Sequence, residues 1–324
     1  MFKTRLRAFL GATAFTALGV LGLAAPTPAQ AEFPERPITI LVAYGPGGMT
    51  DVTTRILSQK LEEILGVDIL VENRPGAGGT LAWGTLLEQP ADGYTVVSFG
   101  TSEYVTTIML EREYTIDDFT VLGSYMPQQR VLFARPEMPF SDIDGLIEYA
   151  RDNPVTFADG GLYWASRVME AFAKQNDLQV RLVPFRSGAE GSAAILGGHV
   201  SIAETGVGTG AWLGATREGS LNIIGVLSPG GLDDVGQPGH ESISAADAEF
   251  LTDVYYGYAM KAGTDPEIIA TLSAAFEEAL ADPDVRASFR ERDLIPQWVP
   301  PEEYAEIMQS LESEAEALKA YLEE

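Results

Sequence analysis

The sequence predicts an α/β fold of two lobes that close like a clamshell, each lobe a mainly parallel sheet flanked by helices. Three observations predict it. Short apolar runs alternate with helical stripes from residue 38 to 99, the pattern of a parallel sheet covered on both faces. The alternation restarts between residues 155 and 227. Extended segments at 119–125, 130–134 and 254–261 are placed to carry the chain out of the first lobe and back.

The elements follow in order. Ile38–Val42 reads as a strand. Val52–Leu65 sets Ile56, Leu57, Leu61, Ile64 and Leu65 on one helical face. Val67–Val71 is the next strand, Leu81–Glu88 the next helix, and Tyr94–Phe99 a third strand after the Asp92-Gly93 turn. Ile143–Arg151 is helical and stops before Asn153-Pro154. The second lobe then runs strand Val155–Ala158, helix Ala165–Gln175, strand Val180–Pro184, helix Ala189–Leu196, strand Val200–Ala203, helix Ala211–Glu218 and strand Leu221–Leu227. Ser228–Gly239 reads as loop, and Val254–Lys261 as a returning strand. Ile268, Leu272, Phe276 and Leu280 form one helical stripe. Tyr304, Met308, Leu311, Ala315, Leu318 and Leu322 form another, and both are expected to pack back on the first lobe. The expected boundaries are 32–124 plus 250–324 for lobe 1 and 125–249 for lobe 2, joined by two crossing segments.

Residues 1–31 carry the pattern of a secretory signal peptide. Lys3, Arg5 and Arg7 precede an apolar stretch, and Ala29-Gln30-Ala31 is a small-x-small cleavage site. Cleavage is expected after Ala31, giving an exported, periplasmic protein. The chain has no cysteine, which excludes thiol catalysis, zinc-thiolate sites and disulfides. Its formal charge is −26; three bases and no acids leave with residues 1–31, which makes it −29. Phosphate contacts need a basic surface, so nucleic acid is excluded as a partner.

Two glycine turns dominate the candidate site. Tyr44-Gly45-Pro46-Gly47-Gly48-Met49-Thr50-Asp51 follows the first strand, and Gly76-Ala77-Gly78-Gly79-Thr80 follows the second. Each precedes a helix, whose first amides and dipole favour an anion. Gly47, Gly48, Gly78 and Gly79 let backbone approach a ligand closely. Asp51, in a first helical turn, is more simply a dipole partner. Gly78→Val is expected to block amide access and leave the fold intact. Neither turn matches a nucleotide fingerprint. Thr101 and Ser102 follow the third strand at the same sheet end and offer hydroxyls. Glu103 beside them would repel a carboxylate, so it is expected to point outward or to hold a water or an amine. Across the cleft, the Asp159–Tyr163 turn with Gly161 and Tyr163 offers a third anion site, Arg186 a bidentate carboxylate partner, and Glu204 an acid for a ligand amine.

Catalytic readings find little support. The histidines are His199, in a turn, and His240, in a Gly/Pro loop, and neither sits in a recognisable motif. No G-x-S-x-G elbow and no H-E-x-x-H occurs. No catalytic residue, metal or cofactor is expected.

At these residues the chain resembles the extracytoplasmic solute receptors of tripartite tricarboxylate transporters, the Bug-type receptors. The resemblance rests on Phe33-Pro34-Glu35-Arg36-Pro37-Ile38, on Gly47-Gly48-Met49-Thr50-Asp51 with Arg55, and on Val71-Glu72-Asn73-Arg74-Pro75-Gly76-Ala77-Gly78-Gly79 followed by Ala91-Asp92-Gly93-Tyr94-Thr95. Val183-Pro184-Phe185, Leu196-Gly197-Gly198-His199-Val200 and Gly263-Thr264-Asp265-Pro266 extend it over nearly all of the mature chain. The resemblance implies a two-lobed periplasmic binding protein of the type II-like clamshell kind, monomeric, that hands a small organic carboxylate to membrane permease subunits. Dicarboxylates, tricarboxylates, amino acids and aromatic acids are its implied ligand classes. The resemblance implies that the carboxylate is gripped at the loops matching Gly47–Asp51 and Gly76–Thr80; Tyr44, Thr101 and Ser102, with Gly161, Tyr163, Arg186 and Glu204 opposite, complete the candidate site as read from the residues themselves. The second lobe departs from the family at Phe185-Arg186-Ser187-Gly188, at Ala158–Leu162 and at Val200-Ser201. A ligand-binding accessory of a membrane sensor kinase is the alternative, and an exported α/β enzyme a third class.

Overall fold

A computed structural model describes residues 33–128, 130–159, 163–185, 188–206, 212–226, 254–292 and 294–324. The predicted signal peptide, the 228–239 loop, Gly161, Arg186 and His240 lie outside these residues. Phe33–Glu324 forms one compact unit.

The chain runs β1 (Ile38–Val42), α1 (Met49–Leu65), β2 (Ile69–Asn73), α2 (Thr80–Leu87), β3 (Thr95–Gly100), α3 (Thr101–Met109) and β4 (Phe119–Gln128). It continues with β5 (Arg130–Ala134), α4 (Ile143–Asp152), β6 (Val155–Asp159), α5 (Tyr163–Asn176), β7 (Val180–Pro184), α6 (Gly188–Leu196), β8 (Ile202–Gly206), α7 (Trp212–Arg217) and β9 (Asn222–Val226). Then come β10 (Val254–Lys261), α8 (Pro266–Ala281), α9 (Pro283–Arg290) and α10 (Pro301–Glu323).

Two five-stranded sheets result, in the orders β2-β1-β3-β10-β4 and β7-β6-β8-β5-β9. The orders are equivalent. Each sheet has a parallel triad (β2-β1-β3 and β7-β6-β8), then one antiparallel strand, then an edge strand. The antiparallel strand is always the one that arrives from the other lobe: β10 between β3 and β4, and β5 between β8 and β9. Four of the five strands in each sheet therefore point the same way, and the fifth, the crossing strand, runs against its neighbours because it enters its new sheet from the cleft end. The chain leaves the first sheet after Gln128, not after residue 124.

Packing holds the cleft end of the first sheet in place. β1 is buried on both faces, as its unbroken apolar run requires. Trp83 of α2 stacks on Phe99 of β3 at 4.1 Å, and its Nε1 donates to the Ser98 carbonyl at 3.0 Å. α8 and α10 pack on β4 as expected, and Tyr304 of α10 donates to the Phe99 carbonyl at 2.7 Å. α5, which belongs to the second sheet, packs on α3 and α10, and its Trp164, Val168 and Ala171 join the core of the first sheet. The second sheet has its own apolar clusters on its two sides, around Phe157 and Phe172 and around Phe133 and Ile195.

α3 is a helix that the sequence does not announce. Thr101 to Thr107 is rich in β-branched residues, and Gly100 at its N-cap offers no side chain. Tertiary contact makes it helical. Tyr104 and Val105 are buried in the first core, and the Thr106 and Thr107 hydroxyls donate back to the carbonyls of Ser102 and Glu103 at 2.8 and 2.9 Å.

Candidate functional site

β1, β2 and β3 are parallel, so their carboxyl ends share one edge of the sheet. Each leads into a helix, and the N-termini of α1, α2 and α3 therefore gather at that edge. The first amides of a helix have no acceptor within it. At α1 these belong to Met49, Thr50 and Asp51, since Val52 is the first to bond back, to Gly48.

The two glycine turns are tied to one another. Asp51 accepts from the Gly47 amide at 2.8 Å, from Arg55 at 3.0 Å and from Asn73 at 2.9 Å. Asn73, at the end of β2, also donates to the Tyr44 carbonyl at 2.9 Å. Burial alone would raise the Asp51 carboxyl; the hydrogen bonds from Arg55, Gly47 and Asn73 outweigh it and hold it below the usual range. Asp51 thus braces the first turn, and the Gly47 amide is engaged inside the turn. Arg55 and Asn73 are the positioning residues that the sequence marked only through its motifs. Arg74 pairs with Glu72 on the surface. Asp92 and Tyr94 hold Arg36 by an ion pair at 2.8 Å and a ring contact at 3.7 Å, so that motif anchors the segment just before β1.

The second turn is a single 3-10 turn at Ala77–Gly79. Gly78 and Gly79 have φ of 65° and 98°, in the left-handed region. A Cβ on Gly78 would lie 2.6 Å from Thr106 Cγ2, and one on Gly79 would lie 2.6 Å from Glu103 Cγ. These glycines let the turn press against α3. Gly78→Val would strain the turn and collide with α3, so it does not isolate amide access. Thr80 donates to the Ala77 carbonyl at 2.9 Å and closes the turn.

Thr101 and Ser102 open α3, and both are buried. The Thr101 hydroxyl accepts from the Tyr255 amide at 3.1 Å and fastens β10 to α3. Ser102 Oγ has no hydrogen-bond partner among the described residues. Glu103 does not point outward: it is 1% exposed, lying against Gly79, Gly100 and the Tyr44 hydroxyl. Burial pushes its carboxyl up to about 7, against the lowering effect of its own amide and of Tyr44. Its Oε2 has no hydrogen-bond partner.

A buried ion pair ties the crossing strand β5 to its neighbour β8. Arg130 opens β5 and grips Glu204 of β8 with two hydrogen bonds, at 2.7 and 2.5 Å. Their side chains are 6% and 3% exposed. Burial lowers the Arg130 pKa, but the Glu204 carboxylate more than offsets it. Glu204 therefore spends both oxygens on Arg130 and is not an open acceptor for a ligand amine. Tyr44, Gly48, Met49, Thr50, Ala77, Gly78, Gly79, Thr80, Thr101 and Ser102 all lie on the three loops at the first sheet's carboxyl edge. Gly161 and Arg186 lie outside the described residues, as does the side chain of Tyr163.

Elsewhere, a cavity of about 350 Å³ lies between α3 and α10, lined by Tyr104, Glu111, Arg112, Glu312 and Lys319 among others. Among the described residues no cluster of three or more His, Asp or Glu is set to hold a metal, and no helix is long and apolar enough to cross a membrane.

Comparisons with known proteins give the chain's family and support its fold. The family model described as the tripartite tricarboxylate transporter family receptor matches residues 53–320. Protein BugT of Bordetella pertussis is 28% identical over 319 residues, covering 94% of this chain and 93% of its own. Among solved structures, MatC of Rhodopseudomonas palustris with bound malate superposes with a TM-score of 0.74 at 24% identity, covering 89% of this chain and 100% of that one. A second R. palustris protein, with adipate, gives 0.75 at 20% identity, with 90% and 98% covered.

Proposed function

Since the chain belongs to the receptor family of tripartite tricarboxylate transporters, we propose that it captures a small organic carboxylate between its lobes and presents it to the membrane permease. The observation that carries this is the meeting of three helix N-termini, α1, α2 and α3, at one sheet edge beside the unpartnered Ser102 hydroxyl. Amides and hydroxyls in that arrangement bind an anion without a cationic side chain. One ligand carboxylate takes the amides of Met49 to Asp51 and of Ala77 and Gly78, with Ser102 donating; the Gly79 amide is held by the Gly76 carbonyl at 2.9 Å. Malate and adipate are held by two structural neighbours, and both are small carboxylates. The distal end of the ligand faces the second lobe. Arg130 and Glu204 brace the crossing strands instead of touching the ligand. Export with cleavage after Ala31 places the receptor in the periplasm, and it acts as a monomer.

A thermal-shift screen with malate, adipate, citrate and benzoate tests the reading. A ligand present at a hundred times its Kd stabilises by about 2.7 kcal/mol, enough for a clear rise in Tm. If no acid raises Tm, the reading fails.

A further inference from the structure

We propose that Glu103 is itself a ligand-binding residue, acting as its carboxylic acid and donating a hydrogen bond from Oε2 to the ligand's carboxylate. This deepens the carboxylate-receptor reading and rests on it. Capture at pH 8 then takes one proton from solvent: Glu103 carboxylate plus a proton becomes the acid, whose O–H is donated to the bound anion.

The argument is geometric first. Glu103 lies in the first turn of α3, against the Gly79 that caps α2 and near Tyr44 in the turn after β1. That is the edge where the three helix N-termini gather. An ionised Glu103 would be a like charge buried beside an incoming carboxylate, which is costly in a desolvated site. Among the described residues the nearby cation is Arg130, which is paired with Glu204. Oε2 is an orphan: as a carboxylate oxygen it lacks a donor, and as a hydroxyl it lacks an acceptor. A ligand carboxylate supplies the acceptor.

The neighbouring groups leave Glu103 as the one described group at this spot whose charge changes between pH 6 and 9. Tyr44 faces it from the turn after β1, Tyr125 from β4, Tyr256 from β10 and Tyr304 from α10. Burial holds the Tyr44, Tyr125 and Tyr304 hydroxyls well above their usual range and pushes Tyr256 up to about 12. Arg130 stays charged and paired with Glu204. Burial places the Glu103 carboxyl at about 7, within the working range of a periplasmic receptor.

The test is isothermal titration with malate, or with adipate if malate does not bind, from pH 6 to 9 in two buffers of different ionisation enthalpy. Both acids are already ionised over most of this window, so proton uptake reports on the protein. The expected Kd is flat near pH 6 and weakens about tenfold per pH unit above about 7.5, with close to one proton taken up at pH 8. E103Q, a permanent donor of similar shape, is expected to bind at pH 6 within a few fold of the wild type and to lose the pH dependence. A flat wild-type profile with no proton uptake overturns the proposal and leaves the receptor reading standing. An E103Q protein that keeps the wild-type slope overturns it too. Failure of both acids to bind at pH 6 counts against the receptor reading as well.

Discussion

Ser102→Ala separates a ligand contact from a structural one. Ser102 is the second residue of α3, 3% exposed, and its Oγ has no hydrogen-bond partner. A buried hydroxyl with no partner does not stabilise the free protein, and its removal spares a desolvation cost of about 1 kcal/mol. Facing a ligand carboxylate, the same hydroxyl makes a hydrogen bond to a charged group, worth about 1.5–3 kcal/mol. That converts to roughly a 10- to 150-fold weaker Kd on its loss. The expected result is therefore asymmetric: acid binding by isothermal titration falls by at least about tenfold, while Tm of the unliganded protein shifts by less than about 4 °C or rises. A Kd unchanged within about twofold would remove Ser102 from the site, and a Tm loss of about 10 °C would make it structural.

Three further outcomes follow from the geometry. Arg130→Met leaves Glu204 buried and unpaired, and is expected to cost about 3–5 kcal/mol in urea denaturation. The double change Arg130→Met with Glu204→Leu should recover most of that loss. Gly48→Val places a Cβ 3.4 Å from the Gly45 carbonyl at an ordinary φ of −70°, so it crowds the α1 amides without backbone strain. It should cost about 1 kcal/mol of stability at the cap, and it should weaken acid binding at least about tenfold by titration calorimetry. The Glu103 carboxyl is raised from 4.5 to about 7 in the folded state, so the stability it contributes is full below pH 4.5 and is lost as pH rises through about 7. Glu103→Gln should therefore stabilise the unliganded protein by about 3 kcal/mol at pH 8 and by little at pH 4.5, measured by urea denaturation at the two pH values.

Much of the fold was legible because several of its strands are short and buried on both faces. Ile38–Val42, Arg130–Ala134 and Val254–Lys261 end where their apolar runs end. The direction of β5 and β10 was not legible, since apolar pattern says nothing about which end of a sheet a strand enters. α3 stayed hidden because its Thr-rich sequence carries no cap and becomes helical through the packing of Tyr104 and Val105. The glycine turns were visible as turns, but the staple of Asp51, Arg55 and Asn73 joins the start of α1 to the end of β2. Glu103 is the sharpest case. A carboxylate beside expected anion donors reads as repulsive and therefore as outward-facing. The fold instead buries it under Gly79, where the absence of a side chain leaves room for its stem.

The central claim is a place: one ligand carboxylate at the shared edge of β1, β2 and β3. A crystal structure of the protein with malate or adipate tests it most directly. The account predicts carboxylate oxygens within hydrogen-bond distance of the Met49–Asp51 amides or the Ala77–Gly79 turn, with Ser102 Oγ and Glu103 Oε2 on the same group. An acid bound only elsewhere, as in the cavity between α3 and α10, would contradict it.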